Sequence, residues 1–460
     1  MKKMLQTDLT TGPIGPSIRA IAIPAMVGII FNTMYNLVDT FWAGRFSTES
    51  LASLSLNFPV YLLAMTIGVG FSSGTSALIA NYLGKKDEVS AQKIYFQGIS
   101  YALIIQLILT IPLLFLLKPI FELMNADAMV LKGALLYGYV IVGGSVMMTM
   151  NMVINSALSA RGLSKLYRNV LIIGFFLNLG LDPILMFGFN IGDTVIIPEM
   201  KESGIALATV IIQLLSALYL LHKARTLHLF QDARPKDFKP LKSRGLELSS
   251  QVIPGMVSFM IMATGTFVIT FYISRYGTNV VAAYGSAIRI EQIALVPNMG
   301  INTALMAMVG QNNGAKKIDR ITESYRTALF YGFLIMIVLL TPVLIFGRQL
   351  IGLFTDNAEV ISIGYTYLLI QGITHFSYII MAQSNSVLQG LKRPGMIMWT
   401  ALYRQVVAPA VIFTFLSIVL GMRENGVWWG LVIVNWSAAL FSLYWTRKKI
   451  KQAALALTGE

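Results

Sequence analysis

Residues 24 to 39, PAMVGIIFNTMYNLVD, are an apolar run of the kind that opens a membrane-spanning helix, and the run ends in an aspartate. Asn32, Asn36 and Asp39 fall at i, i+4 and i+7, which draws a polar stripe down one face of an otherwise apolar helix. Amides and a carboxylate are costly in hydrocarbon, so the stripe must point at protein or water. It marks the first candidate site.

The rest of the chain carries the same kind of run. Of 460 residues, 56% are hydrophobic and 12% charged, and long apolar stretches alternate with breaks at Gly, Pro and charge clusters. That is the composition of an all-α polytopic membrane protein. At about 20 residues per span plus short loops, the length accommodates about twelve transmembrane helices. They are expected at about 17–43, 54–83, 94–117, 130–160, 166–188, 203–222, 247–274, 279–312, 322–347, 360–390, 395–421 and 427–446. Residues 1–16 are polar and the first apolar run is long enough to remain as a helix, so no cleavable signal peptide is expected. The chain has no cysteine, which excludes disulfides, thiolate metal sites and a Cys nucleophile.

A net charge of +14 raises nucleic acid as a partner, but the basic residues alternate by loop. With the N-terminus inside, the inner segments hold 26 Lys and Arg and the outer loops hold seven: Arg45, Lys118, Lys132, Lys201, Arg275, Arg348 and Arg423. Such a bias fixes topology, with both termini cytoplasmic, and attracts anionic lipid; no nucleic-acid partner is expected.

The longest polar stretch, residues 223–245 (KARTLHLFQDARPKDFKPLKSRG), reads as a cytoplasmic linker between an N-terminal lobe, 1–222, and a C-terminal lobe, 246–460. An offset of 230 supports the division: Pro24 falls on Pro254, Arg45 on Arg275, Gly84 on Gly314, Lys86 on Lys316 and Asn155-Ser156 on Asn385-Ser386. Six helices is an even number, so the halves are parallel repeats about an axis along the membrane normal, able to enclose a central cleft. The register also exposes an asymmetry. Asp39 pairs with Ile269, and Asp182 with the apolar stretch near 407–410, which places proton or cation chemistry in the first lobe.

Asn178 and Asp182, in FFLNLGLDPILMFG, are spaced i, i+4 and share a helix face. Counted from the expected helix ends at about 1.5 Å per residue, Asp39, Asp182 and Thr209 lie roughly 6 to 9 Å below the outer surface. One layer can hold them. Glu291 and Arg289 are two positions apart and do not face each other, so each needs another partner; Arg404 can snorkel, and His375 is the one histidine inside an expected span. Walker loops, histidine clusters at metal spacing and GxSxG are all missing, so no enzyme activity is expected.

Taken together, the segment through NLVDTFWAGR, the inner-loop marker ALIANYLGKKD with its repeat VGQNNGAKK, NSALSARG with SNSVLQG, and NLGLDPILMFG followed by SGIALATV resemble the multidrug and toxic compound extrusion (MATE) family. The chain is most similar to the bacterial DinF-like branch. The resemblance implies two six-helix lobes around a central cleft and an antiporter that expels organic, often cationic, drugs against inward H⁺ or Na⁺, as a monomer in the inner membrane. No cofactor beyond that ion is implied. It makes Asp39, Asn178, Asp182 and Thr209 the ion-coupling set, able to take H⁺ or Na⁺, with Pro24 as the bending proline of helix one and Tyr139 as the tyrosine of helix four near the site. Asn32, Asn36 and Glu291 are assigned with them to the substrate cavity and its gating. A related branch uses acids on helices seven and ten; here VSFMIMATGT and THFSYIIMAQS carry none. A lipid-linked oligosaccharide flippase of the same superfamily is the alternative, disfavoured because its cavity needs cationic residues for a pyrophosphate; a channel or receptor is a third reading.

Overall fold

The computed structural model describes residues 8–124, 126–227 and 235–458. Lys2 and Lys3, and the middle of the expected linker, lie outside the described residues. The chain is an all-α polytopic membrane protein. Its helices are α1 (Ile14–Phe46), α2 (Thr48–Gly84), α3 (Glu88–Leu123), α4 (Ala128–Ala160), α5 (Ser164–Phe187), α6 (Glu202–Thr226), α7 (Lys242–Ile273), α8 (Thr278–Gly314), α9 (Ile318–Ile345), α10 (Gly347–Gly352), α11 (Ala358–Gly372), α12 (Thr374–Gly390), α13 (Gly395–Leu402), α14 (Ala408–Phe413) and α15 (Arg423–Thr458).

Eleven spans among the described residues are long and apolar enough to cross a membrane. The tenth expected helix, over 360–390, is divided at Ile373 into α11 and α12. The eleventh is interrupted by two wider π turns, Tyr403–Val407 and Thr414–Val419. Large apolar side chains such as Phe115, Leu123 and Ile293 are left exposed, as lipid-facing surfaces require when there is no aqueous face to cover.

Two compact units emerge. Among the described residues the first comprises those within 27–79 and 87–252 and the second those within 8–26, 80–86 and 253–458. Thus the start of α1 belongs to the second unit and the start of α7 to the first. The core of the first unit joins Val60, Leu117, Phe121, Ile141, Met186 and Ile205 from five helices. In the second, Tyr272, Tyr284, Tyr367, Phe413 and Trp428 form an aromatic core, and a further cluster joins Ile14, Ile18 and Ile21 to Ile301, Leu305 and Met308. The end of the linker is clasped in the first unit, where the Gln97 amide donates to the carbonyls of Asp237 (2.7 Å) and Lys239 (2.8 Å) and accepts from Leu241 N–H (2.8 Å).

The repeat seen in the sequence recurs atom by atom. Within the first unit a Cβ at Gly245 would meet Tyr101 Oη at 2.6 Å; within the second, a Cβ at Gly15 would meet Tyr331 Oη at 2.6 Å, both pairs in the 230 register. Gly84 and Gly314 likewise exchange close approaches, Gly84 onto the carbonyl of Gln311 and Gly314 onto that of Asn81. Past four helix ends the chain turns through the left-handed region at Lys86, Lys316, Gly162 and Lys392, again two pairs of that register. A side chain there costs roughly 1 to 2 kcal/mol relative to glycine. Three of the four turns nonetheless use lysine, which puts a positive charge on the loops that carry the topology bias.

Residues 189–202 read as a plain loop in the sequence. They contain a hairpin of β1 (Phe189–Ile191) and β2 (Thr194–Ile197), which has no counterpart among the described residues of the second half. After it the register falls to 222, and Lys201-Glu202 match Arg423-Glu424, with φ of 54° and 53° at the two basic residues.

Candidate functional site

Three helices of the first unit bring their polar side chains to one buried point. Asp39 from α1, Asn178 and Asp182 from α5 and Thr209 from α6 are all buried, with Asn178 and Asp182 at 0% exposure. They lie seven, five and seven residues from the helix ends Phe46, Phe187 and Glu202, so one layer contains them. α5 continues as a helix through Pro183.

The centre of the layer is the Asn178 amide. Its Nδ2 donates to Asp39 Oδ1 at 3.0 Å and to Asp182 Oδ1 at 2.8 Å, using both amide hydrogens on two carboxyls. Thr209 Oγ1 donates to Asp39 Oδ2 at 3.4 Å. The amide thus brings the two carboxyls together on one donor group, and a proton or a cation between them would relieve the repulsion of two ionised acids. Asn178 Oδ1 and Asp182 Oδ2 are buried without a hydrogen-bond partner among the described residues. These oxygens, with those of Asp39 and Thr209, suit either a shared proton or a small monovalent cation.

A cluster of tyrosines surrounds the acids, and sequence reasoning missed most of it. Tyr35 (α1), Tyr61 (α2) and Tyr137 (α4) all lie within electrostatic reach of Asp39, and Tyr35 adjoins Thr209. Tyr35 had a signal, since it precedes Asp39 by four residues and shares its helix face. Tyr139, expected near the site, is 47% exposed, whereas Tyr137 is 8% exposed and within electrostatic reach of Asp39; two steps along a helix turn a side chain about 200° around the axis.

The other expected residues are spread more widely. Of the α1 stripe only Asp39 enters the layer; Asn32 and Asn36 stay exposed. Asn32 lines a small crevice with Tyr35, Tyr167, Gln213 and Ser216. Pro24 is buried within α1, which remains helical through it. Glu291 is buried in the second unit, bonded to Tyr367 and facing His375, while Arg289 stacks on Phe354 at 5.9 Å and Arg404 on Tyr378 at 4.9 Å.

Comparison with known proteins bears on the whole chain. A family model described as MatE matches residues 24–184 and again 254–414, two stretches in the 230 register. The chain is 26% identical to a protein of Shewanella oneidensis named FAD transporter, over 79% of each chain. It is 24% identical to the multidrug export protein MepA of Staphylococcus aureus, over 94% of this chain and 93% of that one. A solved multidrug resistance MATE family transporter of the MOP superfamily, in an outward-facing conformation, superposes with a TM-score of 0.86 at 25% identity, covering 97% of this chain and 98% of that chain.

Proposed function

Because the chain belongs to the MatE family of membrane transporters, we propose that it is a secondary multidrug antiporter that exports small organic, often cationic, compounds in exchange for H⁺ or Na⁺ moving inward. One observation carries this reading: two buried carboxyls, Asp39 and Asp182, tied together by the two hydrogens of one amide. Taking a second positive charge into so small a buried layer is opposed by the first, so ion and cationic drug compete for the same negative charge. Binding of the ion releases the drug outward; loss of the ion inward restores the attraction. Reciprocity requires that each ligand weaken the other by the same factor.

The charge pattern supports a cytoplasmic (inner) membrane location with both termini inside, and the chain is proposed to act as a monomer. The Shewanella relative named for FAD makes a flavin dinucleotide the second compound to test. The test is uptake of a fluorescent cationic dye, and separately of FAD, into everted vesicles energised in turn by a pH gradient and by a Na⁺ gradient. Uptake driven by either gradient and lost in Asp39→Asn is the expected result. Uptake that ignores both gradients would overturn the antiport reading, and uptake of FAD alone would move the substrate class.

A further inference from the structure

The second unit holds a buried acid of its own. Glu291, on α8, is 5% exposed, and its Oε2 accepts from Tyr367 Oη of α11 at 2.9 Å. Its Oε1 faces Nε2 of His375, at the start of α12, across 3.7 Å, and neither atom has a hydrogen-bond partner among the described residues. The 230 register puts Tyr367 on Tyr137 and Glu291 on Tyr61. Both of those first-unit tyrosines adjoin Asp39. Each unit thus joins a buried acid to the equivalent tyrosine, from a different helix in each case.

The tautomer of His375 follows from its other side. Nδ1 lies 2.8 Å from the carbonyl oxygen of Gln371, which can only accept, so Nδ1 carries the hydrogen. In a neutral ring Nε2 is then a bare lone pair aimed at a carboxylate oxygen. Two acceptors so placed repel, and a proton between them would turn that repulsion into a hydrogen bond. The other titratable groups facing the pair are Tyr284 from α8, Tyr367 from α11, Tyr378 from α12 and, one ring further, Arg404 over Tyr378; α15 contributes Trp428, which does not titrate.

We propose that Glu291 and His375 form a proton-binding site of the second unit, closed by one proton between Oε1 and Nε2 and set across the break between α11 and α12. A charge-assisted N–H···O contact settles at about 2.7 to 2.9 Å. Binding the proton therefore draws the first turn of α12 toward α8 by somewhat under 1 Å, and losing it releases that turn. His375 sits in the first turn of α12, one residue after Thr374, with Ile373 joining it to α11 at φ −68° and ψ −32°. The site stands apart from the carboxyl layer of the first unit and does not depend on the transport reading.

The chain has three histidines, so His222→Gln with His228→Gln leaves His375 as the sole imidazole. Nitrogen NMR of the histidine-labelled protein in lipid nanodiscs, recorded from pH 4 to 10, reads both ring atoms. The expected result is Nδ1 protonated throughout, one titration step at Nε2, and a midpoint displaced by about one pH unit or more in Glu291→Gln but unmoved in Asp39→Asn. An Nε2–H tautomer at neutral pH, a ring that does not titrate, or a midpoint indifferent to Glu291→Gln would each overturn the proposal. The tautomer is read before Glu291 is altered, so that arm holds even if Glu291→Gln fails to fold.

Discussion

Replacing Asn178 by alanine removes both donors that join the acids of the first unit. Each hydrogen bond to a charged or proton-sharing carboxyl contributes about 1 to 3 kcal/mol, and Asn178 makes two, at 3.0 and 2.8 Å in a fully buried setting. The expected loss is thus about 2 to 6 kcal/mol, divided between stability and the geometry of the ion site. Asn151→Ala is the control: it deletes two bonds of similar length, to the carbonyl (2.7 Å) and Oε1 (2.6 Å) of Gln213, in the same unit but to neither acid. Two assays separate the contributions. The temperature of thermal inactivation of the solubilised protein should fall for both variants, whereas gradient-driven dye export, normalised to folded protein, should fall at least tenfold for Asn178→Ala alone, a loss of about 1.4 kcal/mol. Equal export by the two variants would refute the reasoning that the amide organises the carboxyl pair.

Three further predictions concern other parts of the chain. Tyr137→Phe should slow coupled export more than Tyr139→Phe, since Tyr137 is buried within electrostatic reach of Asp39 and Tyr139 is exposed; export rates in vesicles compare them directly. Gly84→Ala and Gly314→Ala should each lower the melting temperature, because either Cβ runs into a backbone carbonyl that cannot rotate aside; native melting of both variants would contradict the close crossing of α2 and α8. At the start of the chain, partial burial acts to raise the pKa of Asp8, but hydrogen bonds from the Thr10 hydroxyl (2.7 Å) and N–H (2.8 Å), aided by Thr11 and Lys317, outweigh it and hold the carboxyl below its ordinary range. A depressed folded pKa stabilises above the unfolded value and is lost as pH falls through the folded one. Hydrogen exchange at the Thr10 amide should accordingly be faster in Asp8→Asn at pH 7, with the difference lost as pH falls through the folded-state pKa of Asp8, which lies below its ordinary value.

Much of this molecule is written in local pattern. The spans follow from runs of apolar residues, and the repeat from a fixed offset that keeps Gly84 with Gly314 and Lys86 with Lys316. The acid layer was legible because Asn178 and Asp182 lie one turn apart on one helix, and because Asp39 and Thr209 count to the same depth. What could not be read depends on rotation and on long-range partners. The choice between Tyr137 and Tyr139 turns on about 200° of helix phase, which a resemblance without aligned geometry does not supply. The meeting of Glu291 with His375, 84 positions apart, has no local signature. The break before Thr374 has no proline to announce it, and the hairpin at 189–197 is too short to show strand alternation against its own turn.

The most direct test of the central claim, that ion and drug alternate at the Asp39 and Asp182 carboxyls, is proton release from purified protein in weakly buffered detergent when a cationic dye binds, repeated with added Na⁺. The account predicts that dye binding releases protons, that Na⁺ suppresses the release if Na⁺ is the coupling ion, and that Asp39→Asn and Asp182→Asn each abolish it while the protein stays folded. Proton release of native size in both variants would contradict it.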